Sequence, residues 1–239
     1  MKILALNSSP RKARGGTALI LNNFLEGAKE AGAKIDLIYV HDLKIKPCLG
    51  CFNCWIKTPG ICVQKDDMKE VLDKWLSSDA LVLATPIYVD GMTSTLKALL
   101  DRSIPRVQPF FEIRDDHCRH PPRLGKKPMK VALVSVSGFT ELDNFIPLVT
   151  HVQAFCKNLN GNYAGALLRP LGAQLQMFKQ IGLPVDDIFD AMKQAGKEFV
   201  KQDQISSKTQ EIISREIVPR SEYIKRLNQG FQQQLDAIK

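Results

Sequence analysis

The chain has 239 residues, which is enough for one large domain or for one domain with an extension. Hydrophobic residues make up 44% of it and charged residues 24%, a composition that excludes a disordered or low-complexity protein. No apolar run approaches the roughly 18 residues of a membrane-spanning helix, and the first residues lack the apolar stretch of a signal peptide, so we expect a cytoplasmic protein without membrane association. Two features need an explanation: the net charge of +8 and the six cysteines.

Five short apolar segments alternate with helical patterns over the first part of the chain. The strand-like segments are residues 2–6, 34–40, 80–85, 130–136 and 163–168. Amphipathic spacing predicts helices over residues 17–31, 66–76, 93–102 and 143–159. This alternation predicts an α/β fold with a flavodoxin-like, doubly wound, five-stranded parallel sheet in the strand order 2-1-3-4-5.

After residue 170 the strand pattern ends and helical patterns follow. They cover residues 187–201, 208–215 and 221–238. We therefore predict an α/β domain over residues 1–170 and a helical extension over residues 171–239 that packs on the domain or on a partner subunit. Two segments of the domain depart from the regular alternation, a cysteine loop at residues 47–63 and an insertion at residues 103–129.

The insertion carries more than half of the excess positive charge. Residues 102–130 contain eight basic and three acidic side chains, a net charge of +5. A loop of this length in a compact domain usually has a function or forms an interface. A basic chain also suggests nucleic acid, because phosphate neutralisation dominates that kind of binding. The sequence has neither a recognition helix nor a platform of basic and aromatic residues, so we expect no nucleic-acid partner.

Ligands of a doubly wound sheet bind at the carboxyl ends of the strands, where the strand order reverses. Three loops meet there in the predicted order, at residues 7–16, 86–93 and 137–144. The first is rich in hydroxyl groups and glycines, contains no acid and leads into a helix, which favours a terminal phosphate. It contains neither GxxxxGK[ST] nor GxGxxG, which excludes a P-loop and a dinucleotide fingerprint. An ordinary polar loop is the alternative.

Four cysteines follow the second strand-like segment with the spacing Cys48-x2-Cys51-x2-Cys54-x7-Cys62. Consecutive two-residue spacings let a tight loop present several thiolates to one iron–sulfur cubane. Zinc sites more often use two separate CxxC pairs, and a cytoplasmic location disfavours disulfides. We interpret the motif as a [4Fe–4S] site, with zinc and a metal-free loop as the alternatives.

Three segments together resemble the NADPH-dependent FMN reductase group of flavodoxin-like proteins. They are NSSPRKARGGT after the first strand, PCLGCFNCW, and ATPIYVDGMTSTLKALLDR around the third strand. Within that group, the cysteine segment is similar to that of the iron–sulfur flavoproteins. The resemblance spans roughly residues 1–170. The first loop departs from the frequent family sequence GNT, because it has Gly15-Gly16-Thr17, and the last cysteine spacing is longer than is common.

The resemblance implies FMN as a non-covalently bound cofactor. The implied phosphate contacts are Ser9, Arg11, Gly16 and Thr17. The implied contacts of the isoalloxazine ring are Pro86, Ile87, Tyr88, Gly91, Ser137 and Gly138. The resemblance also supports the cluster on the four cysteines, and it implies a ferredoxin-like electron donor and a small redox acceptor.

We predict an FMN-dependent oxidoreductase that relays electrons between a [4Fe–4S] cluster and FMN, with the two cofactors meeting across the interface of a homodimer or homotetramer. The alternative is a cluster-free NAD(P)H-dependent FMN or quinone reductase in which the cysteines are structural or regulatory. The sequence has no hydrolytic triad and no paired carboxylates, so we assign no acid–base catalyst; flavin chemistry belongs largely to the cofactor.

Overall fold

A five-stranded parallel sheet forms the centre of the computed structural model, which describes residues 1–123 and 128–238. The strands of the described residues are β1 (Lys2–Asn7), β2 (Lys34–Tyr39), β3 (Ala80–Pro86), β4 (Glu112–Arg114), β5 (His117–Arg119), β6 (Lys130–Val136) and β7 (Asn162–Arg169). The helices are α1 (Gly16–Glu30), α2 (Asn53–Ile56), α3 (Met68–Leu76), α4 (Ser94–Asp101), α5 (Ile146–Asn158), α6 (Leu175–Gln180), α7 (Asp186–Lys201), α8 (Ser207–Ser214) and α9 (Arg220–Asp236).

The sheet order is β2-β1-β3-β6-β7, which confirms the predicted doubly wound topology. The register aligns the carboxyl ends of the three central strands, since Asn7 pairs with Ala84 and Pro86 pairs with Val136. The loops after β1, β3 and β6 therefore lie at one edge of the sheet, which we call the sheet edge.

The two faces of the sheet bury separate hydrophobic clusters, because successive side chains of a strand point to opposite faces. On β1, Ile3 and Ala5 join the cluster under α1 and α7, whereas Leu4 and Leu6 join the cluster under α3, α4 and α5. Both faces are covered by helices, which explains why the strands are almost continuously apolar in sequence.

Helix α7 packs directly on α1 through two glycines. A Cβ atom on Gly27 would overlap the carbonyl oxygen of Lys193, and one on Gly196 would overlap that of Phe24. The close approach brings the Phe24 and Phe199 rings to 5.4 Å between centroids. Helix α7 thus belongs to the same hydrophobic cluster as the sheet, while the domain boundary at residue 170 stays a prediction.

The insertion contains an element that the sequence pattern did not predict, the antiparallel hairpin of β4 and β5. Its strands have three residues each, too few to show an alternating pattern. Asp115 and Asp116 form its turn with left-handed φ values of 54° and 53°, the conformation of a two-residue hairpin turn. Two basic residues of the insertion, Lys126 and Lys127, lie outside the described residues.

Within the described part of the chain, no helix has both the length and the apolar character needed to cross a membrane.

Candidate functional site

Local hydrogen bonds among polar residues hold the first loop of the sheet edge. The Asn7 side-chain oxygen accepts a hydrogen bond from the Ser9 amide at 2.9 Å, and the Ser9 hydroxyl accepts one from the Arg11 amide at 3.3 Å. Ser9 and Thr17 are buried, whereas Arg11 is exposed. All four residues predicted to contact a phosphate lie in this loop or at the first turn of α1, and Arg11 is the exposed one among them.

Two details of this loop fit a bound polar group. The side-chain nitrogen Nδ2 of Asn7 is buried and has no hydrogen-bond partner in the described residues, although buried donors are normally paired. A Cβ on Gly15 would lie 2.8 Å from the Ser9 hydroxyl oxygen, so the loop has no room for a larger residue there. Asn7 was not among the predicted contacts. In the sequence, Asn7 is a polar residue directly after the apolar run of residues 3–6. In the structure its side chain is 1% exposed.

The loop after β3 folds into a tight turn that presents an aromatic ring. The backbone groups of Tyr88 and Gly91 bond each other reciprocally at 3.0 and 3.1 Å, across Val89 and Asp90 in left-handed conformations. Thr85 anchors the far end of the turn, because its hydroxyl accepts a hydrogen bond from the Thr93 amide at 3.1 Å. Tyr88 is 52% exposed, so its ring is available at the surface of the sheet edge.

The loop after β6 ties the other two loops together. The Ile87 amide donates to the Val136 carbonyl at 2.9 Å, which joins the β3 and β6 loops. The amide of Gly172, just after β7, donates to the Ser137 carbonyl at 3.3 Å. A Cβ on Gly16 would lie only 2.5 Å from the carbonyl oxygen of Gly172. The predicted contacts Gly16, Ile87 and Ser137 are therefore brought to one edge through backbone contacts.

The segment that leads from β2 to the cysteines is fixed at the same edge. Lys12 of the first loop forms an ion pair with Asp42, and the His41 ring nitrogen Nε2 lies 3.3 Å from the Thr95 hydroxyl of α4. Arg102, which follows α4, donates to the Lys46 carbonyl at 2.7 Å. The stem of the cysteine loop is thus held beside the sheet edge.

Arg102 also forms a buried ion pair with Asp66. Both nitrogens of its fork contact the two carboxylate oxygens, at 2.8 and 3.0 Å. The side chains are only 1% and 4% exposed. Burial by itself raises the pKa of Asp66, but the hydrogen bonds from Arg102 and from the Lys46 amide outweigh burial and lower that pKa below its ordinary value. The pair ties α4 to both ends of the cysteine loop.

All four predicted cluster ligands, Cys48, Cys51, Cys54 and Cys62, line one small cavity. Phe52, Val63 and Ile104 contribute apolar surface to the same cavity. Burial raises the pKa of the Cys54 thiol, and the other three thiols raise it further because a thiolate would face their charges. The donor set therefore fits a soft metal centre, for which clustered thiolates in an apolar setting are suited.

Among residues 1–123 and 128–238, no three His, Cys, Asp or Glu side chains are already arranged as metal ligands. The four cysteines share a cavity without forming a closed ligand set. The other two cysteines lie apart from this cavity: Cys118 is exposed on β5, and Cys156 is buried on α5, where burial raises its pKa to about 12.

The parallel sheet of order 2-1-3-4-5, with polar loops gathered at its switch point, places the chain in the flavodoxin-like class of α/β proteins. A family model described as NADPH-dependent FMN reductase matches residues 1–144. The chain belongs to this family of oxidoreductases. The match includes all three loops of the sheet edge and the cysteine loop.

Curated relatives match slightly less than half of the chain. It is 41% identical over 103 residues to an iron-sulfur flavoprotein of Archaeoglobus fulgidus, a match that covers 43% of this chain and 49% of that protein. It is 36% identical over 115 residues to an iron-sulfur flavoprotein of Methanocaldococcus jannaschii, covering 48% of this chain and 58% of that protein. The chain thus spans about half the length of the curated relatives it matches.

Solved structures agree with the fold. An FMN-dependent NADH-azoreductase of Bacillus anthracis, solved in complex with FMN, has a TM-score of 0.60 to this chain at 15% identity. The alignment covers 84% of this chain and 99% of the azoreductase. At that identity the likeness concerns the fold alone.

Proposed function

We propose that the chain is an FMN-dependent electron-transfer oxidoreductase in which Cys48, Cys51, Cys54 and Cys62 hold a [4Fe–4S] cluster. The observation that carries this proposal is that all four thiols line one apolar cavity, in a loop whose stem is fixed beside the sheet edge. Cys54 is buried and Cys62 is half-buried, whereas Cys48 and Cys51 are exposed. Solvent exposure is one of the factors that set the potential of such a cluster. The similarity to iron-sulfur flavoproteins supports the same assignment.

FMN is proposed to bind at the sheet edge. Backbone amides, the Ser9 and Thr17 hydroxyls and the start of α1 at Gly16 are suited to hold its phosphate, and the exposed Arg11 adds positive charge. The residues proposed to contact the flavin ring are Pro86, Ile87, Tyr88, Gly91, Ser137 and Gly138. When bound, FMN supplies two-electron chemistry and the cluster supplies one-electron chemistry. The role proposed for the chain is to position both groups.

The proposed partners are a ferredoxin-like donor and a small redox acceptor, with NAD(P)H as a second candidate donor. We further propose a homodimer or homotetramer in the cytoplasm. These proposals rest on the family resemblance and on the clustered thiols rather than on any bound partner.

Anaerobic purification followed by iron and FMN determination tests the proposal. We expect about four irons per chain, as a [4Fe–4S] cluster requires, together with bound FMN. The Cys62→Ser variant should lose most of the iron, whereas Cys118→Ser should keep it, because Cys118 is exposed on β5 away from the shared cavity. Wild-type protein with full FMN and no iron would falsify the cluster assignment.

A cluster-free NAD(P)H-dependent FMN or quinone reductase is the second candidate. It is favoured by the match to the NADPH-dependent FMN reductase family and by the lack of a preformed metal-ligand group in the described residues. Stopped-flow reduction of the flavin distinguishes the two candidates. Rapid reduction by NADPH in iron-free protein supports this second candidate, and slow reduction there removes it.

A further inference from the structure

A second cavity borders the cysteine loop. Its volume is about 780 Å³, within the range of roughly 300–1,000 Å³ typical of small-molecule sites. Helix α3, residues 58–65 of the cysteine segment and the turn Ile104–Arg106 contribute to its walls. Among its described lining residues, none is a proposed FMN contact.

One wall of this cavity is apolar. Met68, Leu72 and Leu76 project from α3, and Pro105 and Ile61 add further hydrocarbon surface. Apolar walls of this kind bury the body of an organic ligand, while a few polar groups fix its orientation.

The remaining wall is cationic. Among the described lining residues five are basic and two are acidic. The charge of Arg102 is compensated by Asp66, as described above. Arg123 instead donates to the carbonyl oxygens of Pro105 and Val107 at 3.0 and 3.2 Å, contacts that leave its positive charge uncompensated.

Arg106 is the least satisfied of these cations. Its guanidinium carbon lies 4.6 Å from the centre of the Trp75 ring, which satisfies one face of the group. Its Nε and Nη1 atoms are buried and have no hydrogen-bond partner in the part of the chain that the structure describes. Burial lowers the pKa of Arg106 to about 10, so the group is still charged at neutral pH. A buried charge without hydrogen-bond partners is unusual unless a ligand or water completes it.

We propose that this cavity binds a small organic anion, with an aromatic body against α3 and an anionic group on Arg106. Cys62 lines the same cavity, so the bound molecule lies beside the cysteine loop. A role for it as the redox acceptor rests on the proposed function, whereas binding itself does not.

Calorimetric titration with anilinonaphthalene sulfonate, an aromatic sulfonate, tests the proposal on the full chain. Excess FMN is present in every sample to occupy the flavin site. We expect one molecule to bind per chain, and Arg106→Gln to weaken binding about ten- to a hundredfold, because a hydrogen bond to a charged group is lost. The matched control is Arg226→Gln on α9, which removes the same charge from an exposed ion pair and should leave the affinity unchanged.

A second variant covers the case in which Arg106→Gln does not fold. Lys69 lines the cavity, forms an ion pair with Asp73 and is 80% exposed, so Lys69→Glu should fold normally. The substitution leaves Asp73 unpaired and adds a second negative charge, so repulsion should weaken binding about threefold. Equal affinities of the Arg106→Gln and Arg226→Gln proteins, or no binding by the wild type, overturn the proposal. Iron content is measured on the same samples, so failure of the cluster assignment is seen separately from failure of anion binding.

Discussion

The sheet edge and the cysteine loop are held in place by different kinds of contact. At the sheet edge, backbone groups bond each other: Ile87 to Val136, Ser137 to Arg169 and Gly172 to Ser137. The cysteine loop is held by side chains from distant parts of the sequence. Arg102 donates to the Lys46 carbonyl in the stem of the loop, and Arg123 donates to the Cys54 carbonyl within it. The Trp55 indole of the loop donates to the Ile104 carbonyl at 3.2 Å.

The comparison shows which contacts follow from the sheet topology and which depend on individual side chains. Parallel strands bring their carboxyl ends together whatever residues follow them, so a ligand edge arises from topology. A loop outside the sheet has no such ladder, and its shape depends on a few long-range anchors. Single substitutions should therefore loosen the cysteine loop more readily than the sheet edge.

The largest effect is expected from Arg102→Met. Removing one partner of a buried ion pair leaves the other charge unpaired, which costs about 3–5 kcal/mol in the free energy of unfolding. Urea denaturation measures this loss, and hydrogen exchange should show faster opening of residues 44–66 than of the β3 and β6 loops. The control is Lys97→Met on α4, whose pair with Asp101 is about half exposed and should contribute about 0–1 kcal/mol. Equal losses for the two variants would contradict the anchoring role of Arg102.

A smaller effect is expected at the sheet edge from Gly16→Ala. The new Cβ would lie 2.5 Å from the Gly172 carbonyl oxygen. Because neither a Cβ nor a backbone carbonyl can rotate away, α1 and the loop after β7 must separate. Overpacking of this kind costs about 1–3 kcal/mol, and FMN affinity measured by fluorescence quenching should fall with it. Gly138→Ala is the matched control for stability, because its Cβ would meet nothing within 4 Å. Unchanged stability of Gly16→Ala would mean that the two loops move freely.

The smallest effect is expected from Trp55→Phe in the cysteine loop. The substitution removes the hydrogen bond to the Ile104 carbonyl but keeps an aromatic ring beside Phe52 and His120, each 4.8 Å away between centroids. The loss should be about 0.5–1.5 kcal/mol by urea denaturation. Tyr88→Phe at the sheet edge serves as comparison, and its exposed ring predicts a change within about 0.5 kcal/mol. A larger loss for Tyr88→Phe than for Trp55→Phe would reverse the comparison.

Sequence alone was sufficient for the sheet order and the position of its three loops, because short, almost continuously apolar strands alternate with amphipathic helices. The four cysteines selected from their spacing line one cavity, and their role as cluster ligands stays a prediction. The sequence did not reveal the partner of Arg102, since nothing local relates that residue to Asp66. It also did not reveal Asn7 or Arg106, whose significance lies in buried nitrogens without partners, a property of packing rather than of pattern.

The glycine contact between α1 and α7 has a consequence for synthesis of the chain. Helix α1 ends at Glu30, but the helix that covers one of its faces begins only at Asp186. At ribosomal rates of about 5–20 residues per second, the apolar face of α1 stays exposed for on the order of ten to thirty seconds before α7 is synthesised. During that interval the nascent chain presents side chains such as Phe24 to other proteins, so we expect chaperones to bind it before α7 emerges.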